Sequence, residues 1–543
     1  RGPSCGHDFD FHLVSWMEVA RDWHTGILYP HWLTSGNFGA GEPRFVFYPP
    51  GSWMLGALLG ILAGWHAAPV LFTAICLLAG GFAMRHFARS WLAPWAATAA
   101  ACLYIANPYT LFVAYERTAY GELMAAALMP LLLSFAVRPV PPLAWLSVTI
   151  AGVWLVNAPS GVIACYTLLW IALLRLVPLK LQGNAAGRAR GPLQIGIATA
   201  IGLALAGFYI VPGAYQQRWV EVVRAIGPNM RYQDSYLFHH TGEPQHDVVM
   251  YAASVIACVL LTAALAGFFA WRPARQQRAL LLLASLTPLI LFLLLPISGP
   301  AWHAAPHLRY VQFTWRWLMV LAPVASLFIT GALASRGTRI VLVAGSVLLC
   351  SLSVVMVTPR AHQYCDDEDN VSAQMKLMLD GDGQEGTDEY TPRASDNSEI
   401  AQDQPDVRVL KSANAEEPDS SRQENPEWQA DPAAEIHATI TTPEWNPERR
   451  IIVIDTPAPG YALIRLMNYP PWEVRRNGRV LDQLPRREDG LITVPLPQGR
   501  SEINIRWRAT PAARVGRSLS LLGVLLWLAA WRIERRTPRS ATP

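Results

Sequence analysis

The chain of 543 residues is 52% hydrophobic and only 15% charged, against about 25% charge in a typical soluble domain, which excludes a water-soluble globular protein over most of its length. A net charge of +4 supplies no basic field that would mark nucleic acid as a partner. The missing charge is missing from residues 67 to 357, whereas residues 359 to 512 have the composition of a soluble protein, so one body belongs in lipid and another in water.

The sequence opens on Arg1 in a polar segment with no visible signal peptide, and a preceding transmembrane helix is expected. Its densest polar chemistry follows at once, in Gly6-His7-Asp8-Phe9-Asp10-Phe11-His12, ahead of an apolar stripe at Leu13, Trp16, Met17, Ala20 and Trp23 with helical spacing. Two readings stand side by side. Asp8 or Asp10 caps the helix, or the carboxylates form a membrane-surface site. There one of them acts as general base for an acceptor hydroxyl, or holds a divalent cation (Mg or Mn) against a phosphate leaving group, with His7 and His12 assisting.

A bilayer core of about 30 Å needs about 20 apolar residues in a helix, and the runs that qualify are 67–86, 92–111, 122–138, 142–157, 159–177, 193–213, 248–270, 279–297, 315–334, 339–357 and 515–531. Trp65, Trp91, Trp302, Trp315, Trp317 and Trp531 stand near the ends of such runs, as an interfacial aromatic belt requires. Alternation puts Arg85 and Arg89, then Arg138, then Lys180, Arg188 and Arg190, then Arg272, Arg275 and Arg278, then Arg336 and Arg339, and last Arg532, Arg535, Arg536 and Arg539 on one side, the cytoplasmic one by the positive-inside rule. Arg514 and Arg517 are exceptions on the outer side. Counting 51–65 as a span would invert every loop, so it is read as a helix on the outer membrane surface. Cys76, Cys102, Cys165, Cys258 and Cys350 fall inside apolar runs and read as inert, while Cys5 and Cys365 share the outer side, where a disulfide between them is conceivable.

Residues 366–430 are rich in Asp, Glu, Ser, Gln and Pro and read as partly disordered. Beyond them 436–440, 450–454, 462–467, 473–480, 491–496 and 502–507 alternate as short strands, with Asn477–Gly478 as a hairpin turn, predicting a small antiparallel sandwich. The expected fold is a mainly α multi-pass transmembrane bundle with a C-terminal extracytoplasmic β domain in the cytoplasmic (inner) membrane. The divisions are a first outer loop with juxtamembrane helices at 1–66, a body of about ten spans at 67–357, an acidic linker at 358–434, the β domain at 435–512, and a last span with a basic tail at 513–543.

The first loop continues with Gly26-Ile27-Leu28-Tyr29-Pro30-His31-Trp32, Asn37-Phe38-Gly39-Ala40-Gly41-Glu42-Pro43 and Phe47-Tyr48-Pro49-Pro50-Gly51. Further along stand Tyr115-Glu116-Arg117, Tyr120-Gly121-Glu122, His307-Leu308-Arg309, Gln312-Phe313-Thr314-Trp315-Arg316, Tyr469-Pro470-Pro471-Trp472 and Asp489-Gly490-Leu491. This pattern resembles bacterial membrane proteins of the GT-C glycosyltransferase superfamily over nearly the whole chain, and most nearly the YfhO-like and 6-pyruvoyl-tetrahydropterin-synthase-related groups. The resemblance implies sugar transfer, with inversion, from a polyprenyl-phosphate-linked donor to a cell-envelope glycan, lipid or protein acceptor at the outer membrane face. It implies Asp8 as the catalytic carboxylate, with Asp10 and His12 beside it. His7, Arg117, Glu122, Arg309, Gln312 and Arg316 are substrate-binding candidates, the arginines because guanidinium pairs with phosphate in bidentate fashion. The bland readings are that these arginines snorkel to the headgroups and that Glu122 stabilises a helix N-terminus. Two other functional classes stand beside transfer. A non-catalytic accessory protein would share the fold; a lipid-linked glycan transporter would need charged groups within its spans, where this chain has few.

Overall fold

The computed structural model describes residues 5–177, 185–336, 344, 347, 351, 369–414 and 425–536. The expected span at 339–357, apart from three isolated positions, lies outside them, as does Cys365. Cys5 is disulfide-bonded.

Among the described residues five helices are long and apolar enough to cross a membrane: Ala68–Ala88, Ala158–Leu176, Pro244–Ala270, Thr314–Ser335 and Pro511–Arg536. They make the chain an integral membrane protein. The expected spans at 92–111, 193–213 and 279–297 are instead bent pairs, broken by 42°, 74° and 93°, so that eight spans result if each pair counts as one. The bends have local causes that hydropathy does not register. Pro108 ends the first half of one pair, and the Asn107 side chain accepts from Thr110 N at 3.0 Å to start the second half. Pro296 does the same after Leu294. The expected spans at 122–138 and 142–157 are the shorter helices Tyr120–Ala136 and Leu143–Val156. The stretch expected to lie on the membrane surface is the helix Pro50–Ala63, whose 14 residues reach about 21 Å.

Several of the segments that carry the basic residues touch one another. His86 meets Phe135 edge-on, and Arg175 donates to the carbonyls of Ala136 and Arg138 at 2.8 and 2.6 Å. Arg278 donates to the carbonyl of Arg175, and Glu534 accepts from Ala144 N. The first loop folds over the helices. Helix α1, Phe9–His24, turns Trp16 onto Phe72 with rings stacked at 5.1 Å.

The C-terminal region has eight strands: β1 Val407–Leu410, β2 Thr439–Asn446, β3 Arg449–Thr456, β4 Gly460–Met467, β5 Trp472–Arg476, β6 Arg479–Val480, β7 Leu491–Leu496 and β8 Gly499–Trp507. They form two antiparallel sheets, β1-β4-β7 and β2-β3-β8-β5-β6, which bury Leu463, Ile464 and Ile492 against Ile452, Ile503 and Ile505. The expected hairpin turn at Asn477–Gly478 is present, joining β5 to β6, and both residues have positive φ. One detail differs from expectation. Strand β1 comes from the acidic stretch, because Val407 and Val409 bury against the sheet. The described part of that stretch is also tied to the first loop. Gln384 N donates to Ser35 O at 2.8 Å, Thr387 N to the Glu42 carboxylate at 2.6 Å, and Met375 and Met378 pack on the helical core. Its polarity reflects these partners rather than lack of structure.

Candidate functional site

Asp8 and Arg117, 109 positions apart, meet where the first loop crosses the end of a broken helix. The backbone sets the meeting. The segment Phe112–Glu116 widens into a π-turn, a distortion common at functional sites. Arg117 O then accepts from Asp8 N at 3.0 Å. Only glycine fits at position 6, because a Cβ there would lie 2.3 Å from Glu116 O. The Arg117 Nη2 stands 3.3 and 3.4 Å from the two Asp8 carboxylate oxygens, outside the range of a strong charge-assisted bond. Asp8 occupies the N-cap position of α1 but makes no capping bond, and Asp10 lies inside the first turn. The capping reading is therefore replaced by a carboxylate aimed at a guanidinium. A third of the Asp8 side chain is accessible, against 7% of Arg117.

Behind this pair is a closed network. Glu122, 3% accessible, accepts from Tyr109 Oη at 2.6 Å and from Arg316 Nε at 3.0 Å. Arg316 Nη1 donates to Val311 O and to the Gln312 side chain at 2.8 and 2.9 Å. Gln312 sits at φ +66° and reaches Ala225 O with its amide, a strained backbone held by its surroundings. Glu122 thus does more than stabilise a helix N-terminus: it anchors Arg316. Gly121 lets Tyr48 approach, since a Cβ would lie 3.0 Å from its hydroxyl.

Phe313 joins the two halves. Its ring faces the guanidinium of Arg117 at 4.9 Å and that of Arg316 at 5.0 Å, and it stacks on Trp315. Both cations keep unused donors. Among the described residues Arg117 Nε has no hydrogen-bond partner, nor does Arg117 Nη1 or Arg316 Nη2. Partial burial pushes the Asp8 carboxyl up, but Arg117, then His12, Arg316 and His7, outweigh it and hold Asp8 below the ordinary carboxylate range.

The other candidates fall into place around this pair. His12 is buried. Burial drives its pKa down to about 4, over the opposing pull of Asp8, so its ring is neutral at pH 7. Its Nε2 faces the Tyr48 hydroxyl at 3.5 Å and its Nδ1 has no partner. It lies against Tyr48 and within electrostatic reach of Asp8. His7 is exposed beside Asp8 and Asp10 is half-buried. Arg309 is not part of the cluster. It is exposed and contacts Tyr310 by hydrogen bond and ring stacking. Tyr109, Tyr48 and Phe313 are the contributors that sequence reasoning did not assign. Tyr48 and Phe313 lay inside the quoted motifs, and Asn107-Pro108 marked a helix break beside Tyr109. Among the described residues no group of three His, Cys, Asp or Glu side chains converges to hold a metal ion. Glu122 already spends both oxygens, on Tyr109 and Arg316.

No family model and no curated protein matches the chain. Among solved structures it is similar to the arabinofuranosyltransferase AftD from Mycobacteria. One structure of that protein, a mutant, gives 16% identity over 66% of this chain and 26% of AftD with a TM-score of 0.42; another gives 16% over 70% and 25% with a TM-score of 0.39. It is also similar to ArnT from Cupriavidus metallidurans bound to undecaprenyl phosphate, at 13% identity over 70% of this chain and 65% of ArnT, with a TM-score of 0.39. The chain thus spans about a quarter of AftD and under two thirds of ArnT.

Proposed function

We propose that this protein transfers a sugar from a polyprenyl-phosphate donor to an acceptor hydroxyl at the membrane surface, with Asp8 as general base and Arg117 and Arg316 as the phosphate clamp. The observation that carries the reading is the loose, accessible Asp8–Arg117 pair beside a second arginine, with donors on both cations left unused. The acceptor oxygen bonds to the anomeric carbon as the bond from that carbon to the phosphate oxygen breaks. Asp8 takes the hydroxyl proton, and the lipid phosphate leaves with the electron pair. An Asp8 held ionised by Arg117 is ready to accept a proton but is a weak base. When the donor phosphate takes over Arg117, that restraint lifts and the carboxylate becomes more basic where the acceptor must be deprotonated. Arg316 is fixed by Glu122 and Gln312, so it needs no reordering to receive charge that develops on the leaving phosphate. No step passes through a metal ion. In this reading the cluster and the β domain lie on the extracytoplasmic side of the inner membrane, and the acceptor is a cell-envelope glycan, lipid or protein.

The test uses the full chain in proteoliposomes with a radiolabelled polyprenyl-phosphate sugar and a membrane extract as acceptor source. Transfer by the unmutated protein, absent with Asp8→Asn and with Arg117→Gln, supports the reading. Equal transfer by Asp8→Asn removes Asp8 from the chemistry. Failure of the unmutated protein to bind any such donor leaves the non-catalytic accessory reading in its place.

A further inference from the structure

A cavity of about 370 Å³ stands apart from Asp8. It lies where the helix Gly207–Gln216, the first turns of Pro511–Arg536, the segment 45–46 and the end of β8 meet, and its walls include Tyr29, Phe45, Phe208, Gln216, Trp507 and Arg517. The Asp8 cluster contributes none of its lining. Tyr209 closes the wall between them by donating to Phe47 O at 2.6 Å, one residue before Tyr48.

We infer that this cavity is a second ligand site, for an anionic phospholipid of the bilayer whose phosphate rests on Arg517 and whose first chain segment enters the apolar interior. Four observations carry this. The volume lies within the range of small-ligand pockets, with aromatic and aliphatic walls and few polar groups. Two of those polar groups keep unused capacity: Gln216 Oε1 accepts from Tyr469 while its amide nitrogen has no partner among the described residues, and the Tyr29 hydroxyl likewise has none. The side chains of Arg517 and Arg514 are exposed and make no ion pair or hydrogen bond among the described residues, although they stand at the end of the least buried of the five long apolar helices described, where Val515, Leu519, Leu521 and Leu522 are exposed. Unpaired cations at a helix end beside exposed apolar side chains are the arrangement that attracts anionic headgroups. The inference does not depend on sugar transfer.

The experiment is native mass spectrometry of the full chain released from nanodiscs of phosphatidylcholine mixed with phosphatidylglycerol. One retained phosphatidylglycerol is expected on the unmutated protein and equally on Asp8→Asn. Arg517→Gln should weaken retention about tenfold, the loss of one charge-assisted contact. Ala513→Phe, which fills the cavity from the helix side, should abolish it, and Arg535→Gln at the far end of the same helix should leave it unchanged. Because Arg517 is exposed, its substitution does not threaten folding. Equal retention by Arg517→Gln, or equal retention of phosphatidylcholine, overturns the inference. Displacement of phosphatidylglycerol by polyprenyl phosphate at equal concentration also overturns it, by making the cavity a donor site.

Discussion

Two carboxylate–guanidinium pairs, one in the β domain and one over the membrane body, are built to opposite specifications. Arg487 grips Asp489 with Nε at 3.0 and 3.1 Å from the two oxygens and Nη2 at 2.6 Å from one of them, and the side chains are 0% and 4% accessible. Asp489 also accepts from Leu491 N at 3.0 Å, and Arg487 Nη1 donates to Ala413 O. Its bonding capacity goes into fixing the start of β7 to the chain at 413. Asp8 and Arg117 are held at 3.3 to 3.4 Å, with one face open and donors unused. On the proposed function, the difference is that between a structural ion pair and one kept for a ligand. The first saturates its partners, whereas the second holds them in position and leaves them short of strong contact.

The contrast breaks most visibly under matched substitutions. Asp489→Asn leaves Arg487 buried without its counter-charge and should cost about 3–5 kcal/mol, seen as a large drop in the unfolding midpoint of the detergent-solubilised chain. Asp8→Asn should lower that midpoint less, because Asp8 is a third accessible and its contact with the buried Arg117 is long, at 3.3 to 3.4 Å, while transfer falls by about 10²–10⁴-fold. A large stability loss in Asp8→Asn would make the two pairs alike and end the distinction. Gly6→Ala is the next sharpest probe. Its Cβ would strike Glu116 O, forcing the first loop off the helix break and shifting Asp8 from Arg117. Transfer should fall by about 10²-fold, the scale of a 1 Å misplacement, with a smaller loss of stability. Unaltered transfer by Gly6→Ala would show that the close crossing does not set the site.

The site was legible where chemistry and spacing coincide in one motif. Gly6-His7-Asp8, Arg117, Glu122, Gln312 and Arg316 each stood in a short polar run at a span end, and the structure brings Asp8 to Arg117 and Glu122 to Arg316. It was illegible where the signal is geometric. Arg309 and Arg316 look equivalent in sequence, but Gln312 at φ +66° turns the chain between them, so one faces Glu122 and the other Tyr310. Tyr109 reads as another apolar residue of a span until the break at Pro108 re-aims it. Apolar-run length overstated straight spans for the same reason, since a run with a proline in it is equally apolar whether bent or not. Strand β1 escaped notice because two valines in an acidic stretch carry too little alternation to stand out.

The smallest expected effect concerns two acids at the first helix whose pH responses have opposite signs. Asp22 is fully buried, with neither carboxylate oxygen hydrogen-bonded. Burial, then Glu18 one turn away and Glu448 with less effect, pushes its carboxyl well above the ordinary value of 3.8, and Arg21 opposes them only in part. A raised folded pKa means that the folded chain keeps a proton the unfolded chain has released. The stability from this group is therefore complete below about pH 4 and is lost as pH rises from there through the raised value. Asp8, with its folded pKa depressed, does the reverse: its contribution is present above the unfolded value and lost as pH falls through the folded one. Asp22→Asn removes the titration without changing the shape. The variant should therefore be more stable than the unmutated chain at pH 8, where the unfolded chain gains by releasing the proton that the folded chain holds. The advantage should shrink towards pH 5, where the unmutated Asp22 also carries its proton. Thermal melts of both chains at the two pH values decide it. A gain of equal size at both, or none at either, would mean that Asp22 is ionised in the folded protein and that a counter-charge holds it there.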